Sequence, residues 1–183
     1  VYTQVIEDAT DAYNLLPETN GFYADKYAAQ ALLARTYFQQ GDYEAARDAA
    51  NDVIENSGHS LVTSGFAGAF NNDTDSSEDV FAFQVTSQTG SHDLTVHYAS
   101  EGDGGRGGDI TIEDEYLDLF DDPNDERANF TYINPDNDRR LTLKYTNQFA
   151  NISIFRMAEM HLIRLESNFR EGTSVGLDPL TEI

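Results

Sequence analysis

The chain contains no cysteine, which excludes disulfides, thiolate zinc sites and a cysteine nucleophile. It contains no tryptophan, so stacking on a ligand would fall to tyrosine. Basic residues are scarce, 11 against 33 acidic ones, for a formal net charge of −22. Such a surface repels nucleic acid and anionic lipid headgroups. It favours solubility, weak cation binding and adaptation to salt. No apolar run approaches the ~20 residues that a membrane-spanning helix requires. No signal peptide precedes the first helix, and the chain opens on Val1. It stops at Ile183 inside what reads as a starting helix, so a fragment of a longer protein is expected.

What is present is enough for one domain with a sizeable core. The chain has 183 residues, of which 39% are hydrophobic and 11% aromatic, so it is not a disordered sequence. In residues 3–16, Val5, Ile6, Ala9, Ala12, Tyr13 and Leu16 share one helical face, and Pro17 ends the run. Helices are predicted over 24–40 and 43–56. Gly41-Asp42 breaks them, Asp42 caps the second, and Gly58 suits its end. Asn71–Asp79 is a polar, acidic loop. Val80–Val85 reads as a buried strand. Leu94, Val96 and Tyr98 alternate with polar residues, which predicts a strand or extended segment. Leu141, Leu143 and Tyr145 do the same. A short helix is expected over 114–120, and a longer one over 154–169 with Ile154, Ala158, Leu162, Leu165 and Phe169 on its core face. Asp178-Pro179 has the form of an N-cap followed by proline at the first helical position.

The fold class is therefore mainly α, with an irregular, loop-rich insertion containing a few short β-strands. We divide a single domain into a helical part over 1–58, an irregular part of loops and short strands over 59–150, and a second, truncated helical hairpin over 151–183. In the first part the positions Ala34, Tyr37, Gly41, Tyr43, Ala46, Ala50 and Val53 follow the spacing of a tetratricopeptide hairpin, at about 24–57. Small residues let two antiparallel helices approach closely, tyrosine fills the gap beside them, and glycine permits the turn. One such repeat cannot bury its own face, and about three are needed. The C-terminal hairpin is the expected neighbour.

The chain resembles the SusD/RagB family of outer-membrane nutrient-binding lipoproteins. The resembling segments run in collinear order over nearly the whole chain. They are VYTQVIEDATDAYNLLP, KYAAQALLARTYFQQGDYEAARDAANDVIENSG, SSEDVFAFQ, LFDDPNDERANF, LTLKYTN, SIFRMAEMHLIRLES and VGLDPLTEI. Met157 stands where the family more often has tyrosine. The resemblance implies tetratricopeptide pairs that scaffold an irregular ligand-binding face. It implies lipid anchoring on the cell surface of Bacteroidota-type bacteria, through an anchor absent from this chain. It further implies capture of a glycan or other nutrient without cleavage, and delivery to a SusC-like TonB-dependent transporter, with no cofactor.

Sugar recognition needs aromatic faces and planar polar groups. Segment 86–116 supplies His92, His97, Tyr98, Arg106, Asp109 and Tyr116, and the family places contacting aromatics partly in this region. His97, Tyr98, Arg106, Asp109 and Tyr116 are the candidate ligand contacts. Several patterns are set aside. GDGGRG over 102–107 fits a dinucleotide fingerprint in letters only, because it lacks a parallel strand before it and a helix opening inside it. Asn71, Asp73, Asp75, Ser77 and Asp79 alternate as in a calcium loop, but glycine is missing at the sixth position and glutamate at the twelfth. DDPNDER over 121–127 is expected to be a turn in which Asp and Arg side chains tie down the backbone. The four histidines (59, 92, 97 and 161) show no metal spacing. The competing reading is a tetratricopeptide module that binds a protein or peptide; a glycosidase ranks third.

Overall fold

Alanine dominates the contact on which the helical part is built. Helix α2 (Lys26–Gln40) and helix α3 (Tyr43–Asn56) pack together, with Ala31, Ala34, Ala46, Ala50 and Val53 fully buried between and beneath them. With no side chain beyond Cβ at these points, the two backbones can approach closely. Gly41 makes the turn at φ +79°, a left-handed conformation that costs other residues about 1–2 kcal/mol. Asp25 caps α2 by accepting from the amides of Tyr27 and Ala28 at 2.9 Å each. Asp42 caps α3 through the amide of Ala45 at 3.2 Å. Helix α1 (Tyr2–Leu15) packs on α2, and the face predicted for it is the one it turns inward. It ends one residue short of Leu16, whose extended backbone leads into Pro17.

The computed structural model describes residues 1–177, so the cap expected at Asp178-Pro179 lies outside the described residues. The described chain divides into two compact units. The first comprises residues 1–61, 77–83 and the chain from Ser153 onward. It holds α1–α3, strand β1 (Asp79–Phe83), nearly all of strand β4 (Ile152–Arg156), which pairs with β1, and helix α6 (Met157–Glu171). Its core joins Ala9, Tyr27, Leu33 and the alanine seam to Val80, Phe155, Met157, Met160 and Ile163. Arg35 ties α2 to this end of the unit. Its guanidinium grips Glu159 through two 2.6 Å bonds, donates to the Ile154 carbonyl at 2.7 Å, and lies 4.3 Å from the Phe155 ring centre.

Two expectations for the C-terminal segment are corrected. Residues 154–156 are strand, and the helix begins at Met157. The helix also presents a different face to the core. Leu162, Leu165 and Phe169 are 66%, 47% and 85% exposed, whereas Met157, Met160, Ile163, Arg164, Ser167 and Asn168 are buried against α3 and the following loop. The physical reason lies in the polar members of the buried face. Arg164 donates to Asn51 at 3.0 Å and pairs with Glu55 at 3.3 Å. Asn168 donates to the carbonyls of Arg164 and Val175 and accepts from the amide of Val175. Partnered polar groups can be buried, and periodicity of apolar residues alone does not register them.

The second unit, residues 62–76 and 84–152, is mostly turns. It holds helix α4 (Asp93–Tyr98), the one-turn helix α5 (Asp114–Leu117), and an antiparallel hairpin of β2 (Thr131–Ile133) and β3 (Arg140–Thr142). The hairpin pairs Thr131 with Thr142, Tyr132 with Leu141 and Ile133 with Arg140. Residues 94–98 are helix, contrary to the extended reading, because His92 Nδ1 accepts from the amide of Thr95 at 3.2 Å and caps a turn and a half. Of the alternation over 141–145 only the start is strand; Leu143–Tyr145 closes into a 3-10 turn. Gly108, at φ +80°, passes so close to the buried Leu141 that a side chain there would collide with it.

Replacing Ala46 by leucine should destabilise the chain by about 1–3 kcal/mol, read from urea denaturation, because the seam has no room for three more carbons. A second expectation concerns alkaline pH. Tyr13 donates to Asp52 Oδ2 at 2.8 Å. That bond, with burial behind it, pushes the phenol up to about 12. A raised value means the contribution is complete below pH ~10 and is lost as pH climbs towards 12. The stability gap between the wild-type chain and Tyr13→Phe should therefore be constant up to pH ~10 and shrink above it.

Candidate ligand-binding cleft

An open cleft of about 210 Å³ lies in the second unit. Phe66 enters it from a 3-10 turn (Phe66–Ala69), and Tyr98 from the last residue of α4. Ile112 and Tyr116 come from the chain at α5, Phe130 and Thr131 from the start of β2. Thr142, Lys144 and Tyr145 follow along β3 and its 3-10 turn, and Arg127 completes the wall. Five of these ten residues are aromatic. The rings support one another: Tyr98 and Tyr145 have centroids 5.2 Å apart, and Phe66 meets Phe130 edge-on at 5.2 Å. Phe70 closes that trio at 5.1 and 5.4 Å. The Lys144 ammonium sits 5.2 Å from the Phe70 ring centre and 5.9 Å from that of Phe66.

Charge at the cleft edge is held locally. Arg127 forks onto Asp125 through Nε and Nη2 and lies over the Phe120 ring. This grip holds the Asp125 carboxyl below the usual carboxylate range and raises the Arg127 guanidinium. The turn expected of DDPNDER is thus present, with Asp122 and Asp125 also accepting from the amides of Asn124 and Arg127. Glu126 accepts from the Phe66 amide at 2.6 Å and so fixes that ring's backbone.

Of the residues singled out in the sequence, Tyr98 and Tyr116 are brought together in this cleft. His97, Arg106 and Asp109 meet elsewhere, in a surface cluster. His97 Nδ1 lies 2.9 Å from Asp109 Oδ2, and Arg106 Nε donates to the same oxygen at 3.0 Å, with Nη2 also on it. Arg106 foremost, then His97, holds the Asp109 carboxyl below its ordinary range. His92 is a buried helix cap, and burial lowers its pKa, in keeping with an acceptor role for its Nδ1. The glycine-rich loop is clamped. The Gly107 carbonyl accepts from Asn134 and Asn137, and Gly108 from Arg139. In the acidic loop, Asp73 accepts from Asn147, and Asp75 from Gln84 and Asn151. Among the described residues no group of three or more His, Asp or Glu side chains is arranged to hold a metal.

Phe66, Phe130, Thr131, Thr142 and Tyr145, which line the cleft, were not singled out in the sequence. They lie up to 79 positions apart (66 to 145), and none stands in a recognisable cluster. Lys144 and Arg127 were visible only inside the segments LTLKYTN and LFDDPNDERANF that carried the resemblance.

No family model matches the sequence, and no curated protein matches it. Solved structures do. A SusD superfamily protein from Bacteroides thetaiotaomicron superposes with a TM-score of 0.72 at 27% identity, over 95% of this chain. The fold is SusD-like. A SusD-like carbohydrate binding protein from Bacteroides vulgatus gives 0.71 at 22% identity over 93% of this chain. A structure with xylogluco-oligosaccharide gives 0.70 at 20% identity over 91%. This chain spans 43%, 40% and 44% of the lengths of those three.

The surface cluster makes a prediction. A carboxylate with a lowered pKa contributes above its ordinary value of ~3.9 and loses that contribution as pH falls through the lowered value. Asp109→Asn should raise amide exchange over residues 97–110 at pH 7. The wild-type chain should show the same loosening only below pH ~4.

Proposed function

We propose that this chain is the central part of a cell-surface glycan-binding subunit, lipid-anchored in its full-length form, that hands its ligand to a SusC-like TonB-dependent transporter. The observation that carries the reading is the lining of the cleft on a SusD-like fold: five aromatic rings with two threonine hydroxyls among them. Rings offer faces to the C–H surfaces of a pyranose, and hydroxyls and amines serve its oxygen atoms. At about 210 Å³ the cleft is smaller than the ~300–1,000 Å³ that encloses a drug-sized ligand. It therefore suits one or two sugar units, with the remainder of an oligosaccharide outside. No carboxylate lines it among the described residues. In this reading the ligand is bound and released unchanged.

In this reading Tyr98 and Tyr116 touch the ligand. His97, Arg106 and Asp109 brace the helix and loop that carry Tyr98. The competing reading, a tetratricopeptide module for a protein partner, draws on the exposed Leu162, Leu165 and Phe169 of α6. A glycan array followed by calorimetry on the hits separates the two. Saturable binding without release of smaller sugars, weakened tenfold or more (about 1.4 kcal/mol) by Tyr116→Ala and by Tyr98→Ala, is the expected result. Absence of binding to every glycan would sink the proposal.

A further inference from the structure

The cleft differs in charge from the chain that forms it. Acidic residues occupy 33 of 183 positions, so ten positions drawn at random would include about two. The ten residues lining the cleft include none, and two are cations, Lys144 and Arg127. The chain has only 11 basic residues and a net charge of −22, so this reversal is local. Glu113 and Glu115 adjoin the lining residues Ile112 and Tyr116 in the chain but do not line the cleft, and two further neighbouring carboxylates are engaged. Asp125 is gripped by Arg127, and Glu126 accepts from the Phe66 amide. Arg127 spends Nε and Nη2 on Asp125 and leaves Nη1 without a partner among the described residues.

Resting on the glycan-binding reading above, we propose that the ligand is an acidic glycan, and that Lys144 and Arg127 receive the carboxylate of a uronic acid unit while the rings stack on its sugar face. Lysine and arginine donate to neutral hydroxyls as well, but two cations and no carboxylate in the lining of so acidic a chain favour an anionic ligand. Arg127 offers its remaining Nη1 donor to a carboxylate, and the Lys144 ammonium provides a compact point charge. The distant negative charges of the chain do not defeat this. At physiological salt, charges more than ~8 Å away are largely screened, whereas contacts inside a partly dry cleft are not. The outer surface then discourages non-specific adhesion of anionic polymers, and the cleft alone accepts them.

The test uses oligomers of galacturonate, mannuronate, guluronate and glucuronate, each as the free acid and as its methyl ester, with a xylogluco-oligosaccharide as the neutral comparison. Calorimetry at 0.15 M sodium chloride compares the wild-type chain with Lys144→Gln and Arg127→Gln. The expected result is one uronate series in which the free acid binds at least tenfold tighter than its ester. Lys144→Gln should bring that ratio close to one, and Arg127→Gln should reduce it in the same sense. An ester or neutral oligosaccharide that binds as tightly as the free acid, and that Tyr116→Ala weakens, would overturn the acidic-ligand proposal and keep the glycan-binding reading. No binding of any oligosaccharide would overturn both.

Discussion

The close approach of α2 and α3 is the contact on which the helical unit depends. Ala34, Ala46 and Ala50 remove all bulk from the seam, and Gly41 supplies the left-handed turn that brings the second helix back along the first. Once the two helices are fixed, α3 offers Asn51 and Glu55 to Arg164 of α6, and α2 offers Arg35 to Glu159. These polar ties set which way α6 faces. They do so because a buried guanidinium without partners would cost far more than an exposed leucine. The result is a helix that leaves Leu162, Leu165 and Phe169 exposed.

The second unit solves a different problem. It has little regular structure, so its backbone groups are satisfied by side chains and turns. Asn71, Asn134, Asn137, Asn147 and Asn151 all donate to or accept from nearby chain in this unit. Glycines admit close contacts, as where Gly108 lies against Leu141. Those fixed loops hold aromatic rings from five separate stretches around one cleft. The chain is strongly acidic, whereas the residues that line the cleft include two cations and no carboxylate.

Legibility followed the range of the interactions. The face of α1, the cap Asp42 and the alanine spacing all depend on neighbours within one or two turns, and the sequence read them well, within a residue or two at the ends. The turn of DDPNDER was legible for the same reason, since Asp125 and Arg127 act over two positions. Misreadings arose where alternation over three apolar residues imitated a strand. At 94–98 a single capping histidine outweighed it. Within the candidate site, Tyr98 and Tyr116 were found because aromatic residues in a loop-rich segment are conspicuous. Phe66 and Phe130 were not, because their contact spans 64 positions.

By itself the sequence determined the mainly helical class, the tetratricopeptide-like hairpin, the acidic surface and the exclusion of thiol chemistry. Composition and short-range spacing suffice for these. Only the tertiary structure decided which face of α6 is buried, that His97, Arg106 and Asp109 form a cluster apart from the cleft lining, and that Lys144 and Arg127 join five aromatic rings. Each of those outcomes turns on partners distant in the chain, and sequence spacing carries no information about where such partners meet.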